Sequence, residues 1–225
     1  MVLHSLRIEG FRRIKKAEVL FGDATFLIGP NNSGKSTVFK AIEYLLSVQK
    51  TIPSTDYYSV IDKETGETKP AVKKIIIEAE FRRLPEEAKT WRGFKGRVFT
   101  YTKTDDSDTG LSMTYRKTYE MGQDVVIETR SKSRARKPKY DACETPSDFL
   151  AQGLAEQPLL ELFPERDKKI GKSKAAIEKL DQLDDIWDLG DDDTWFQNPG
   201  GIPQNVLTKL PRYLLIPADT SINEV

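Results

Sequence analysis

The stretch Gly29-Pro30-Asn31-Asn32-Ser33-Gly34-Lys35-Ser36-Thr37 constrains this chain more than any other, because it fits the spacing G-x-x-x-x-G-K-[ST]. That spacing wraps a backbone into a loop whose N–H groups point inward at phosphate oxygens, and it sets a lysine within reach of the β- and γ-phosphates of a nucleotide. The pattern is short and needs a buried strand before it and a helix after it. Ala24-Thr25-Phe26-Leu27-Ile28 is a nearly continuous apolar run, as expected of a parallel strand covered on both faces. From Lys35 onward Val38, Ala41, Ile42 and Leu45 recur at helical spacing, with Phe39 and Leu46 widening the stripe. Such a helix aims its positive N-terminal end at the same phosphates. The residues therefore predict a P-loop nucleotide site within an α/β fold. Gly29, Asn31, Asn32, Ser33 and Gly34 form its loop, Lys35 meets the phosphates, Ser36 gives its hydroxyl to Mg2+, and Thr37 takes a further phosphate oxygen.

The bulk numbers narrow the setting. With 225 residues the chain is long enough for a sizeable core. It contains no apolar run of membrane-spanning length and no signal-peptide pattern at its start, so it reads as soluble, cytoplasmic and without a membrane partner. The single cysteine, Cys143, precludes an intrachain disulfide and reads as a bystander, and the sole histidine, His4, cannot belong to a His-rich metal site. Basic and acidic residues balance at 35 each, which gives no global case for nucleic-acid binding. They are unevenly spread, however. Arg130, Lys132, Arg134, Arg136, Lys137 and Lys139 form a basic run, and Asp181, Asp184, Asp185, Asp188 and Asp191 to Asp193 an acidic one. Both suit solvated loops or faces, and the basic run also suits contact with a DNA backbone or a partner.

Along the chain, Leu6 and Ile8 alternate with Arg7 and Glu9 in a first half-buried strand, and Phe11-Arg12-Arg13-Ile14 turns into a second strand over 17–21. Residues 51–70 read as a polar surface loop. Ile75, Ile77, Ala79 and Phe81 alternate with Ile76, Glu78 and Glu80, and strands over 97–103, 111–119 and 124–129 follow, separated by turns. Together they predict an antiparallel meander over 71–130. Its aromatics Phe99, Tyr101, Tyr115 and Tyr119 suit cross-strand packing better than base stacking. A short helix is expected after Pro85. A helical segment over 145–190 starts at a Thr145-Pro146 cap, breaks at Gly153 and Pro158, and resumes from Ser173 to Leu189, as core packing or as an interface. Gly171-Lys172-Ser173 is no second phosphate loop, since no strand precedes it and no glycine stands at the required spacing. A short helix over 204–210 and a buried-type strand, Tyr213-Leu214-Leu215-Ile216, close the sequence.

The combination LRIEGFRRI…FLIGPNNSGKSTVFKAIEYLL resembles the opening of ABC-type ATPases of the SMC, RecF and OLD group, and most of all the OLD (overcoming lysogenization defect) ATPases, many of which serve anti-phage defence. The match covers about the first fifty residues, with the Phe-Arg turn and the paired Asn31-Asn32 as its narrowest features. The resemblance implies an ABC/SMC-type head with an added antiparallel sheet and a helical insertion, binding ATP and Mg2+. It implies that Arg12 turns back toward the nucleotide's phosphates, the alternative being an exposed turn arginine beside Arg13. It also implies that the strand over 211–225 leads into the Q-loop, with Asp219 approaching Mg2+ or the attacking water; Asp219 as a Walker B acid, or as a plain loop aspartate, stays open.

Several parts of such a machine have no counterpart in the sequence: the signature motif, a Walker B strand with its catalytic glutamate, the switch histidine, and the Toprim nuclease domain of OLD proteins. The chain is accordingly expected to be the N-terminal part of a larger ATPase. In the complete protein ATP would draw two heads together as a homo-oligomer and control a nuclease or Toprim effector, or DNA engagement. The alternative is a scaffold that holds ATP stably and releases an effector protein. A small P-loop kinase is disfavoured by the meander that follows the first helix.

Overall fold

The computed structural model describes residues 1–91, 93–94, 96–102, 109–197 and 204–216. Its centre is a seven-stranded sheet built from β1 (Val2–Phe11), β2 (Ile14–Leu20), β5 (Lys74–Leu84), β6 (Phe99–Thr102), β7 (Thr109–Glu120), β8 (Val126–Arg136) and β9 (Trp187–Gln197). The strand order is β2-β1-β5-β7-β8-β9, with β6 also paired to β7, and every pairing is antiparallel. The first hairpin and the meander are thus one sheet rather than two.

Side-chain alternation decides which face is buried. Leu6, Ile8, Ile75, Ile77, Ala79, Phe81, Met113 and Tyr115 point to the inner face and are almost fully enclosed. The helix α1 (Lys35–Leu46) lies on that face and seals it with Val38, Ala41, Ile42 and Leu45. The outer face is polar, and the register lines up Glu18, Arg7, Glu78, Arg116 and Glu128 in one row across β2, β1, β5, β7 and β8. Opposite charges on neighbouring strands attract, so this row supports the pairing it depends on. Within it Arg116 bonds Glu128 at 2.7 Å and lies 3.6 Å from the centre of the Trp195 ring.

Two short strands, β3 (Ser59–Ile61) and β4 (Thr68–Pro70), form a hairpin inside the region expected to be plain loop. The segment over 145–190 contains three short α-helices. Helix α2 (Pro146–Ala151) starts with a capping box between Thr145 and Asp148, and α3 (Glu156–Leu162) follows the break at Gly153. Pro158 does not break α3. It sits in the first turn, where its missing N–H costs no helical bond. Helix α4 (Lys174–Leu180) is capped by Ser173 and ends well short of Leu189. The segment encloses its own core of Tyr140, Phe149, Leu154, Leu159, Leu180, Leu183 and Ile186.

The expected helix over 173–189 is overturned at its C-terminal end, because residues from Trp187 onward, with Asp188 and Asp191 to Asp193, belong to β9 and pair with β8. Arg130 and Lys132 both bond Asp193, and Arg134 bonds Asp181. Two charge runs that look like separate solvated loops thus meet in part across the β8–β9 ladder, through Asp193, and in part beyond it, through Asp181 at the end of α4.

A second difference concerns the loop's flanks. Residues 24–28 enter no ladder, with Phe26 83% and Ile28 93% exposed. A buried parallel strand needs neighbours on both sides, and among the described residues none lies alongside. Residues 211–216 behave alike: Tyr213 packs on the main core through its ring, while Leu214, Leu215 and Ile216 are exposed. The helix α5 (Gln204–Leu207) precedes them and inserts Val206 into the core. Among the described residues no helix is long and apolar enough to cross a membrane.

Candidate nucleotide site

The loop from Gly29 to Ser36 stands at the N-terminal end of α1 and opens to solvent. Its shape rests on two left-handed residues, Asn32 at φ 66° and Gly34 at φ 99°. Asparagine tolerates that region and glycine has no Cβ to oppose it, so the sequence places fitting residues at both positions. A side chain at Gly34 would touch Ile14, whose Cγ1 would stand 3.4 Å from it, at ordinary contact distance. The phosphate loop therefore packs directly beside the turn between β1 and β2.

Lys35 closes the loop. Its Nζ donates to the carbonyls of Gly29 at 2.6 Å and Pro30 at 2.7 Å, with the Ser33 hydroxyl at 3.5 Å. By taking up these carbonyls, the ammonium brings a positive charge to the loop. The N–H groups of Lys35 and Ser36, in the first turn of α1, have no intrahelical acceptor. Loop, lysine and helix end together make a cradle for an anion of phosphate geometry. Ser36 is exposed on the first turn and can offer its hydroxyl outward, whereas Thr37 is 5% exposed and turned toward the core. The donor set thus fits a phosphate chain, and the Ser36 hydroxyl, a hard oxygen ligand, fits Mg2+. Asp219 lies outside the described residues.

Arg12 stands in the turn between β1 and β2, two residues before the Ile14 that lies beside Gly34, and its own bonds lead elsewhere. Its backbone is left-handed at φ 49°, and its N–H donates to the Asp56 carbonyl at 2.7 Å. Its Nε donates to Asp56 Oδ1, also at 2.7 Å. The second carboxylate oxygen, Oδ2, accepts from the Tyr44 hydroxyl at 2.7 Å. Burial and the neighbouring carboxylate push the Tyr44 phenol up to about 12, so it stays a donor throughout the neutral range. Arg12 and Arg13 line a cavity of 620 Å³ with Ser54, Thr55, Tyr57 and Thr68, a wall rich in hydroxyls and without a carboxylate. Asp56 and Tyr44 carry no motif. Forty-four residues separate Asp56 from Arg12, and only the loop's return to the sheet brings them together.

The far end of α1 is fixed by a residue that also escapes sequence reading. Lys117, fully enclosed on the inner face of β7, donates its ammonium to the carbonyls of Tyr44 at 2.9 Å and of Ser47. Tyr119 adds a bond to the Tyr44 carbonyl at 3.3 Å. The last carbonyls of a helix lack intrahelical donors and carry its negative end, so a cation there is favourably placed.

The family profile of the AAA ATPase domain matches residues 1–193. The chain belongs to the AAA ATPase domain family. This AAA ATPase domain is a nucleotide-binding ATPase module, with ATP as the nucleotide it uses. No curated protein matches the chain. The basic run has a different place in the domain. Besides the pairs to Asp193 and Asp181, Lys137 bonds the Asp185 carbonyl, Lys139 the Gln152 carbonyl, and Arg136 lies over the Phe149 ring. A DNA backbone would have to compete with these internal partners.

Proposed function

We propose that this domain binds Mg-ATP in an ABC-type head of the OLD kind, and that ATP-driven association of two heads controls a DNA-acting nuclease or DNA engagement in anti-phage defence. The observation that carries the ATP part is Lys35, bonded to the Gly29 and Pro30 carbonyls in an exposed loop that leads into the N-terminal end of α1. Lys35 would hold the β- and γ-phosphates, the loop backbone from Gly29 to Gly34 would surround them, and Thr37 would lie nearest the helix interior. Ser36 would hold Mg2+, which supplies neutralisation of the phosphate charge when bound. Arg12 would add a guanidinium from the side of the β1–β2 turn, a donor geometry matched to phosphate. Association of heads is supported by the exposure of the loop and its flanks, which leaves the phosphates open to a second surface.

The test is Mg-ATP binding and turnover by the 225-residue chain, with Lys35→Ala beside it. Binding weakened by about a hundredfold or more in the variant is expected; equal affinities would remove the assignment. Turnover then separates a hydrolytic head from a scaffold that holds ATP stably. DNA-stimulated turnover would support the nuclease-control reading, and ATP-dependent capture of an effector protein would support the scaffold.

A further inference from the structure

We infer that Asp56 and Tyr44 are positioning residues that fix Arg12 for the phosphates of the bound nucleotide, an inference that rests on the phosphate-loop reading above. Asp56 grips Arg12 twice, accepting from its backbone N–H and from its Nε. A guanidinium held through Nε keeps its two Nη groups for another partner, and the fork they form suits a phosphate. Arg12 lines a 620 Å³ cavity with Arg13 while Asp56 is 4% exposed, and the turn that carries Arg12 meets the phosphate loop through Ile14 beside Gly34.

Tyr44 links this grip to the phosphate loop. It lies on α1, the helix whose first turn carries Lys35 and Ser36, and its hydroxyl takes the remaining oxygen of Asp56. Tyr44 is itself held by the bonds of Lys117 and Tyr119 to its carbonyl and by edge contact with Phe11, at 5.7 Å between ring centres. Phe11 is the residue immediately before Arg12, and Ile14, two residues after it, abuts Gly34. The loop and the arginine are therefore spaced by a continuous set of contacts. The Asp56 carboxylate, accepting from both Arg12 and Tyr44, joins the two sides by hydrogen bonds.

A purely structural role for the Asp56 pair would tie residues 53–58 to the sheet and nothing more. The two roles differ in a double-mutant cycle on Mg-ATP affinity, measured by calorimetry on the full chain with thermal unfolding as a check of folding. If Asp56 acts through Arg12, Asp56→Asn weakens binding about tenfold in the wild-type background and has no further effect in Arg12→Ala. Tyr44→Phe, which leaves the Arg12–Asp56 pair in place, weakens it about threefold, again only while Arg12 is present. Should Asp56→Asn fail to fold, the Tyr44→Phe cycle decides alone. Losses that persist undiminished in Arg12→Ala, or no loss in either variant, overturn the inference while Lys35-dependent binding stands. Absence of any Lys35-dependent binding by the wild-type chain overturns the phosphate-loop reading and this inference with it.

Discussion

The inner strand β5 and the segment before the phosphate loop are comparably apolar strings with opposite fates. Ile75, Ile77 and Phe81 are wholly enclosed, while Phe26 and Ile28 are 83% and 93% exposed. Composition does not separate them. What does is the number of neighbours: β5 lies between β1 and β7 and under α1, whereas residues 24–28 have no strand alongside among the described residues. A hydrophobic run states a capacity for burial, and topology decides whether it is used. The same contrast places the domain's rigidity in the antiparallel sheet and leaves its chemistry on the open side, at the end of one helix.

The comparison is broken most sharply inside the sheet. Phe81 pairs with Leu3 and Met113 across β1 and β7 and is completely enclosed. Phe81→Ala is expected to lower the unfolding free energy by about 3–5 kcal/mol, through lost transfer energy and the cavity left behind. Denaturant unfolding measures it. A loss under about 1 kcal/mol would mean that the core around β5 is far looser than its burial indicates.

A second effect tests how α1 is anchored to that sheet. Burial pushes the Lys117 ammonium down to about 8 from an ordinary 10.5. Between those values the unfolded chain binds more protons than the folded one, so this group makes stability rise with pH across that window. Below it both states carry the charge and the contribution is constant. Tyr115 and Tyr119, raised by burial, act in the opposite sense once tyrosines in the unfolded chain ionise, so the effect is read as a difference. Relative to Lys117→Met, which lacks the titration, wild-type stability should gain up to about 3 kcal/mol between pH 8 and 10.5. A pH-independent difference would show that Lys117 keeps its ordinary proton affinity and is better solvated than its enclosure suggests.

The same contrast explains what could be read from the sequence. The alternation of Ile75, Ile77, Ala79 and Phe81 and the stripe of Val38, Ala41, Ile42 and Leu45 were legible because each has its own element's period. The loop was legible because its chemistry lies in nine consecutive residues. Asp56 was not, since its meaning comes from Arg12 and Tyr44, one on a turn and the other on a helix. Lys117 reads as an ordinary strand lysine until the carbonyl end of α1 is placed over it. The acidic run reads as solvated until β9 lies against β8, where Asp193 serves Arg130 and Lys132 at once. Local period and contiguous motifs survive in one dimension. Pairings between distant segments do not.

The smallest expected effect is the most informative about the open side. Phe26→Ser and Ile28→Ser remove large apolar side chains that the described fold leaves in water, so each should change the unfolding free energy by no more than about 0.5 kcal/mol. The same replacements in β5 would bury a hydroxyl and open a cavity, at a cost of several kcal/mol. The ratio between the two sites, measured by denaturant unfolding of otherwise identical chains, is thus a direct reading of how much neighbours contribute to burial. Nucleotide affinity adds a second axis. If the serine variants keep wild-type stability but lose affinity, the segment serves to aim the loop at Gly29 rather than to hold the fold. If instead they unfold the chain, residues 24–28 are packed as the sequence alone suggests, and the contrast with β5 disappears.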